Sequence, residues 1–139
     1  MLQIELGPWS EAKEEAQRIR LAVFVEEQGV PAELEMDEMD EHCVHALAFE
    51  GKTAVATGRL LPDGHIGRMA VMKPWRGRGV GGALLRRLVQ AARERGDEAV
   101  LLSAQVHALG FYRAHGFAPY GAVYEEAGIA HQAMRLGLR

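Results

Sequence analysis

The run Arg76-Gly77-Arg78-Gly79-Val80-Gly81-Gly82 joins two kinds of residue that together can hold an anion. Glycines let consecutive backbone N–H groups converge on one point, and arginines add full positive charge. The run stands between an apolar stretch and an amphipathic pattern, so the helix that follows adds its unpaired first-turn donors and the positive end of its dipole. A diphosphate suits such a place. A glycine-rich turn that only seats a helix tightly on a sheet is the plain structural alternative. A nucleoside-triphosphate loop is excluded, because no G-K-[ST] sequence follows these glycines. Gly77-x-Gly79-x-x-Gly82 does match dinucleotide spacing, but Glu98 lies outside a repeating parallel-strand pattern and only one such unit is available.

Charge is unevenly placed around this run. From Leu21 to Gly51 there is no Lys or Arg, while Glu26, Glu27, Glu33, Glu35, Asp37, Glu38, Asp40, Glu41 and Glu50 are all acidic. From Gly64 to Arg93 there is no Asp or Glu, and seven Lys or Arg side chains are present. One segment suits a cation and the other an anion; two solvated faces that attract each other in the fold would show the same pattern.

The elements that must position these groups are readable from periodicity. Ser10-Glu11 reads as a helix start, with Ala12, Ala16, Ile19 and Val23 at helical spacing. Gly29-Val30-Pro31 ends that helix and opens an acidic loop to about His42. His45–Phe49 and Thr53–Leu61 read as strands joined by Glu50-Gly51-Lys52, and His65–Met72 as the next strand after Pro62-Asp63-Gly64. Val80, Leu84, Leu88 and Ala91 then share a helix face with Leu85 and Ala92 beside them, and Gly96 is placed for the carboxyl end. Ala99–Ala104 reads as a buried strand, Ala108–His115 as a short helix closed by Gly116, and His131–Leu138 alternates as a strand. The class is α+β or α/β, with helices and a mixed sheet in at most three layers.

Size and composition bound the function. A chain of 139 residues is expected to form a single domain over 1–139. A net charge of only −3 argues against nucleic-acid binding through bulk electrostatics. No apolar stretch approaches the roughly 18 to 20 residues of a membrane span, and the amino terminus lacks a signal pattern, so a cytoplasmic location is expected. Cys43 is the only cysteine, which excludes an internal disulfide and a thiolate metal cluster; it reads as a small residue at a strand edge.

The spacing Arg76-x-x-Gly79-x-Gly81 resembles the R/Q-x-x-G-x-G/A signature of the Gcn5-related N-acetyltransferases (GNAT family). Gly67-Arg68-Met69-Ala70-Val71 stands before it as that family's central strand does, and Phe111-Tyr112-Arg113-Ala114-His115-Gly116-Phe117 is similar to its later F-Y-x-x-x-G-F motif. The resemblance covers nearly the whole chain. Val23-Phe24-Val25-Glu26-Glu27-Gln28-Gly29-Val30-Pro31, Gly58-Arg59-Leu60, Ala104-Gln105 and Glu126-Ala127-Gly128-Ile129-Ala130-His131 look like its ElaA/YjcF-like branch.

The resemblance implies α/β/α layers around a mixed, mostly antiparallel sheet splayed at the central strand. It also implies acetyl-CoA as cosubstrate, no metal, and an amine acceptor that attacks directly in a ternary complex. Main-chain N–H groups of Met69, Ala70 and Val71 would meet the pantetheine arm and the thioester oxygen, donors fixed in advance for a developing oxyanion. The amides of Arg78, Gly79, Val80, Gly81 and Gly82 would hold the diphosphate, with Gly77 in the same loop and Arg76 and Arg78 as charged neighbours. Tyr112 matches the proton donor to the departing thiolate, and Gln105 falls where relatives carry an asparagine facing the pantetheine. A lysine-like amine of pKa about 10.4 is only about one part in a thousand neutral at pH 7, so a base is expected. Glu35, Asp37, Asp40, His45 and His131 are the acceptor-side candidates, and the acidic loop favours a cationic small molecule or peptide. A CoA-binding module without turnover is the rival class. Apolar strand residues near the carboxyl end leave a homodimer open.

Overall fold

Tight glycine turns and two amphipathic helices set the frame. The computed structural model describes residues 2–35 and 37–139, the side chains of Leu34 and Glu35 excepted. Strand β1 (Leu2–Gly7) leads into helix α1 (Trp9–Arg20), which runs on as a π-helix, Leu21–Glu27. A one-turn helix α2 (Ala32–Glu35) and a 3-10 segment, Glu38–His42, fill what reads as an acidic loop. Strands β2 (Val44–Glu50), β3 (Thr53–Leu60) and β4 (Ile66–Val71) follow, then α3 (Val80–Arg95), β5 (Ala99–Gln105), α4 (Leu109–Ala114), β6 (Ala118–Glu126) and β7 (Ile129–Gly137).

The strands form two antiparallel sheets, ordered β1-β2-β3-β4 and β5-β7-β6. They meet at a parallel bridge, His65 with Leu101, where Leu101 N–H donates to Gly64 O at 3.1 Å. Beyond that bridge β4 and β5 diverge, which is the expected splay. Helix α3 packs on one face: Leu84, Leu85, Leu88 and Ala92 are fully buried in one cluster with Val55, Leu60, Val100, Leu102 and Met134. Each buried leucine contributes about 1.5–3 kcal/mol. Gly58 permits this closeness, since a Cβ there would lie 2.9 Å from Leu88 Cδ1 and 3.0 Å from Met69 Cγ. On the other face α1 buries Ala12 and Ala16 with Leu47, and Ile19 with Ala54 and Ala70.

Several expectations are corrected. Ser10 is not the helix cap: extended Pro8 (φ −76°, ψ 167°) holds that place and its carbonyl accepts from Ala12 N–H at 3.1 Å. Strands β1 and β6 are additional. Cys43 stands immediately before β2, as a strand-edge residue would, and is buried there, its thiol donating to Met39 O at 3.1 Å. Near the carboxyl end, Met134 and Leu138 are buried in the chain's own core and Leu136 is partly buried against it.

Candidate functional site

The gap between β4 and β5 is a cleft of about 1060 Å³. The β4 side is shaped by a bulge. Arg59 pairs with Gly67 and Thr57 with Ala70, so Arg68 and Met69 together face Gly58. Arg68 takes the left-handed region (φ 50°), a strained conformation of a kind that clusters at functional sites. Met72 N–H donates to Val55 O at 2.8 Å. Because N–H groups alternate sides along a strand, the Val71 N–H turns the other way, toward the gap. Met69, Ala70 and Val71 all line the cleft.

At its open end lies the glycine-rich loop. Gly77 and Gly79 sit at φ 76° and 79°, where other residues are strained, and Gly79 caps α3. The first intrahelical bond there runs from Ala83 N–H to Gly79 O at 3.1 Å. The N–H groups of Val80, Gly81 and Gly82 precede it, no acidic side chain occupies that turn, and all three residues line the cleft. A Cβ on Gly82 would lie 3.1 Å from His115 Nε2, and one on Gly81 3.6 Å from Phe111. These backbone donors fit an anionic group such as a diphosphate. The two arginines are placed otherwise than their types suggest. Arg78 lies over the Trp75 ring, 5.1 Å from its centroid, and Arg76 is bound by Glu27 and by Val71 O.

Groups able to move protons face the cleft from α4, β5 and β7. Tyr112 packs edge-on to Phe111 and Phe117, and burial raises its phenol above the ordinary value. His131 lies beside Tyr124, rings stacked at 6.0 Å. Its Nδ1 is 2.7 Å from Ile129 O. A carbonyl only accepts, so Nδ1 carries the hydrogen and the neutral ring presents Nε2 as a lone-pair acceptor. Gln105 sits directly opposite His131 on β5 and β7, hence on the same face. Both ends of its amide are engaged, by Gln28 at 3.0 Å and His107 at 2.6 Å. Ser103 and Tyr124 share a hydrogen bond on that face.

The acidic candidates serve a different purpose. Asp40 is buried, taking Arg20 in a two-pronged pair at 3.0 and 3.0 Å and Arg59 Nη1 at 2.9 Å. His45 is buried too; its Nε2 meets Asp40 O at 2.7 Å, its ring lies 4.7 Å from Trp9, and burial holds it below the ordinary value. Both are core groups rather than acceptor-binding ones. Asp37 holds Arg59 through two bonds of 2.7 Å and Arg68 at 3.3 Å; Arg59 above all pulls its carboxyl down to about 2. Asp37 stays behind those arginines while Arg59 and Arg68 line the cleft. Their charges are directed at arginines, so they give no support to a cationic acceptor. The Glu35 side chain lies outside the described residues. Sequence reasoning assigned no role here to Arg59, Arg68, Gln28 or Phe24. Only their place in the resembling motifs could have pointed to them, since no spacing rule pairs Arg59 with Asp37.

An Acetyltransferase (GNAT) domain model matches residues 10–138. The chain is 38% identical over 120 residues to YjcF of Bacillus subtilis (strain 168), an uncharacterized N-acetyltransferase, covering 84% of this chain and 86% of that one. The crystal structure of Escherichia coli ElaA superposes with a TM-score of 0.88 at 31% identity, covering 98% of this chain and 99% of that one. An acyl-CoA N-acyltransferase from Pseudomonas aeruginosa also gives 0.88 at 31% identity, over 99% and 100% of the two chains.

Proposed function

The chain belongs to the GNAT acetyltransferase family, and on that premise we propose that it moves the acetyl group of acetyl-CoA to a primary amine of a small molecule or peptide. Both substrates are held at once and no acyl-enzyme forms. The observation that carries this reading is the head of α3, where the N–H groups of Val80, Gly81 and Gly82 open on a cleft that also receives Tyr112 and His131. Those amides, with Gly77, Gly79 and the backbone of Arg78, hold the diphosphate.

The chemistry then follows from placement. The amine nitrogen attacks the acetyl carbon; a C–N bond forms and the C–S bond breaks. The Val71 N–H, turned to the gap, supports the developing oxyanion, while Met69 and Ala70 line the same cleft on the bulged strand. One amine proton passes to His131 Nε2. The Tyr112 hydroxyl gives its proton to the departing thiolate and is reprotonated from solvent, to which His131 releases the proton it took from the amine.

Polyamines, amino acids, aminoglycosides and peptides, each supplied with acetyl-CoA, test the reading through free thiol release, alongside calorimetric titration with CoA. Acceptor-dependent thiol release supports transfer. CoA binding with no thiol from any amine supports the rival CoA-binding module, and absence of CoA binding removes both.

A further inference from the structure

The π-helix Leu21–Glu27 is an unusually long stretch of a form that mostly occurs as single turns, often at functional sites. It carries Val23 and Phe24 into the cleft and packs them with Ala70 and Met72. Glu27, its last residue, and Gln28 beside it reach opposite lips of the opening. Glu27 takes the guanidinium of Arg76 with Nη2 and Nη1 each at 2.9 Å, while Arg76 Nε donates to Val71 O at 2.9 Å. Arg76 follows β4. Gln28 Oε1 accepts from Gln105 Nε2 at 3.0 Å, and Gln105 ends β5. The segment is thus a strap across the place where the two strands have separated, tied to one side by an ion pair and to the other by an amide.

Arg76 spends all three side-chain nitrogens on the protein, and its charge is matched by Glu27, whose carboxyl it holds below the ordinary value. We propose that Glu27 and Gln28 are positioning residues: through Arg76 and Gln105 they lock the strap over the cleft, so that Val23 and Phe24 keep their place in the wall of the cleft that His131 also lines. Arg76 is then a strut, and the diphosphate is left to the amides of α3. This rests on the transferase reading given above.

The opposite assignment, Arg76 as a phosphate cation that Glu27 merely occupies, predicts opposite signs. Under the strut, Glu27→Gln and Arg76→Gln each leave the calorimetric Kd for CoA within about threefold, and strap amides 21–28 exchange hydrogen about fivefold faster in both. The exchanged pair E27R/R76E restores protection and still binds CoA. Gln28→Ala, which leaves the ion pair intact, loosens the same amides. With the best amine of the panel, each single variant lowers kcat about tenfold at nearly constant KM for acetyl-CoA. Tenfold weaker CoA binding in Arg76→Gln with tighter binding in Glu27→Gln overturns the proposal, and so does unchanged strap exchange. The exchange arm needs no acceptor and no CoA, so failure of the transferase reading is distinguishable from failure of the strap.

Discussion

At the scale of single residues, the proposed reaction assigns proton movement to two side chains, Tyr112 and His131. Ile129 O dictates which His131 nitrogen is bare, and burial raises the Tyr112 phenol above its ordinary value. Replacing Tyr112 by Phe is expected to lower kcat about tenfold or more with little change in CoA affinity, read from thiol release and calorimetry; an unchanged rate removes it as proton donor. His131→Ala is expected to cost about a hundredfold, with partial recovery on adding imidazole. His45 illustrates a titratable group with no part in transfer. Burial first, then Arg20 and Arg59, hold its imidazole neutral, against the opposing pull of Asp40. The unfolded chain takes up a proton at about pH 6.5, so this contribution to stability is whole above that pH and is lost as pH falls from there through the depressed folded value. His45→Gln should therefore flatten the decline in Tm between about pH 8 and pH 5, and an equal slope in both proteins would assign the decline elsewhere.

At the scale of elements, the glycine-rich loop separates conformational from spatial demands. Gly79 has φ 79°, whereas an added Cβ on Gly81 meets only ordinary contacts at 3.6 and 3.7 Å. Gly79→Ala is expected to lower unfolding free energy by about 1–2 kcal/mol in denaturant titration. Gly81→Ala should leave stability nearly unchanged and weaken CoA binding, because the new methyl group stands in the cleft. These elements also mark how far sequence reading reached. Helix α3 was legible because its apolar stripe, its glycine loop and Gly96 (φ 91°) all agree. Strand β6 was not, since only Pro119 along it is partly buried and no alternation survives without a buried face. The continuation of α1 as a π-helix leaves no periodic trace; Glu26 and Glu27 read as the exposed close of the first helix and are exposed, but no spacing points to Arg76 as the partner of Glu27 or to Gln105 as the partner of Gln28. The glycine loop, Tyr112, Gln105 and His131 were legible as cleft groups from short motifs. Asp40 and His45 were misplaced, because an acidic residue in a charged run carries no mark of the arginines that will bury it.

At the scale of the whole molecule, the arginine and aspartate cluster ties several layers together. Arg20 from α1, Asp40 from the 3-10 segment and Arg59 from β3 converge, and Asp37 extends the network to Arg68 at the β4 bulge. Removing one member strands buried charge, so Asp40→Ala is expected to cost about 3–5 kcal/mol in chemical denaturation, well beyond a surface ion pair. A loss under about 1 kcal/mol would mean that the cluster is dispensable. Cys43 lies next to this network, and its position has a practical corollary. It is the only sulfhydryl in the chain, largely buried, bonded to Met39 O and made less acidic chiefly by burial. A disulfide reagent added to an acetylation assay should therefore see coenzyme sulfur almost alone, while slow labelling of the idle enzyme times how often the floor beneath β2 breathes open.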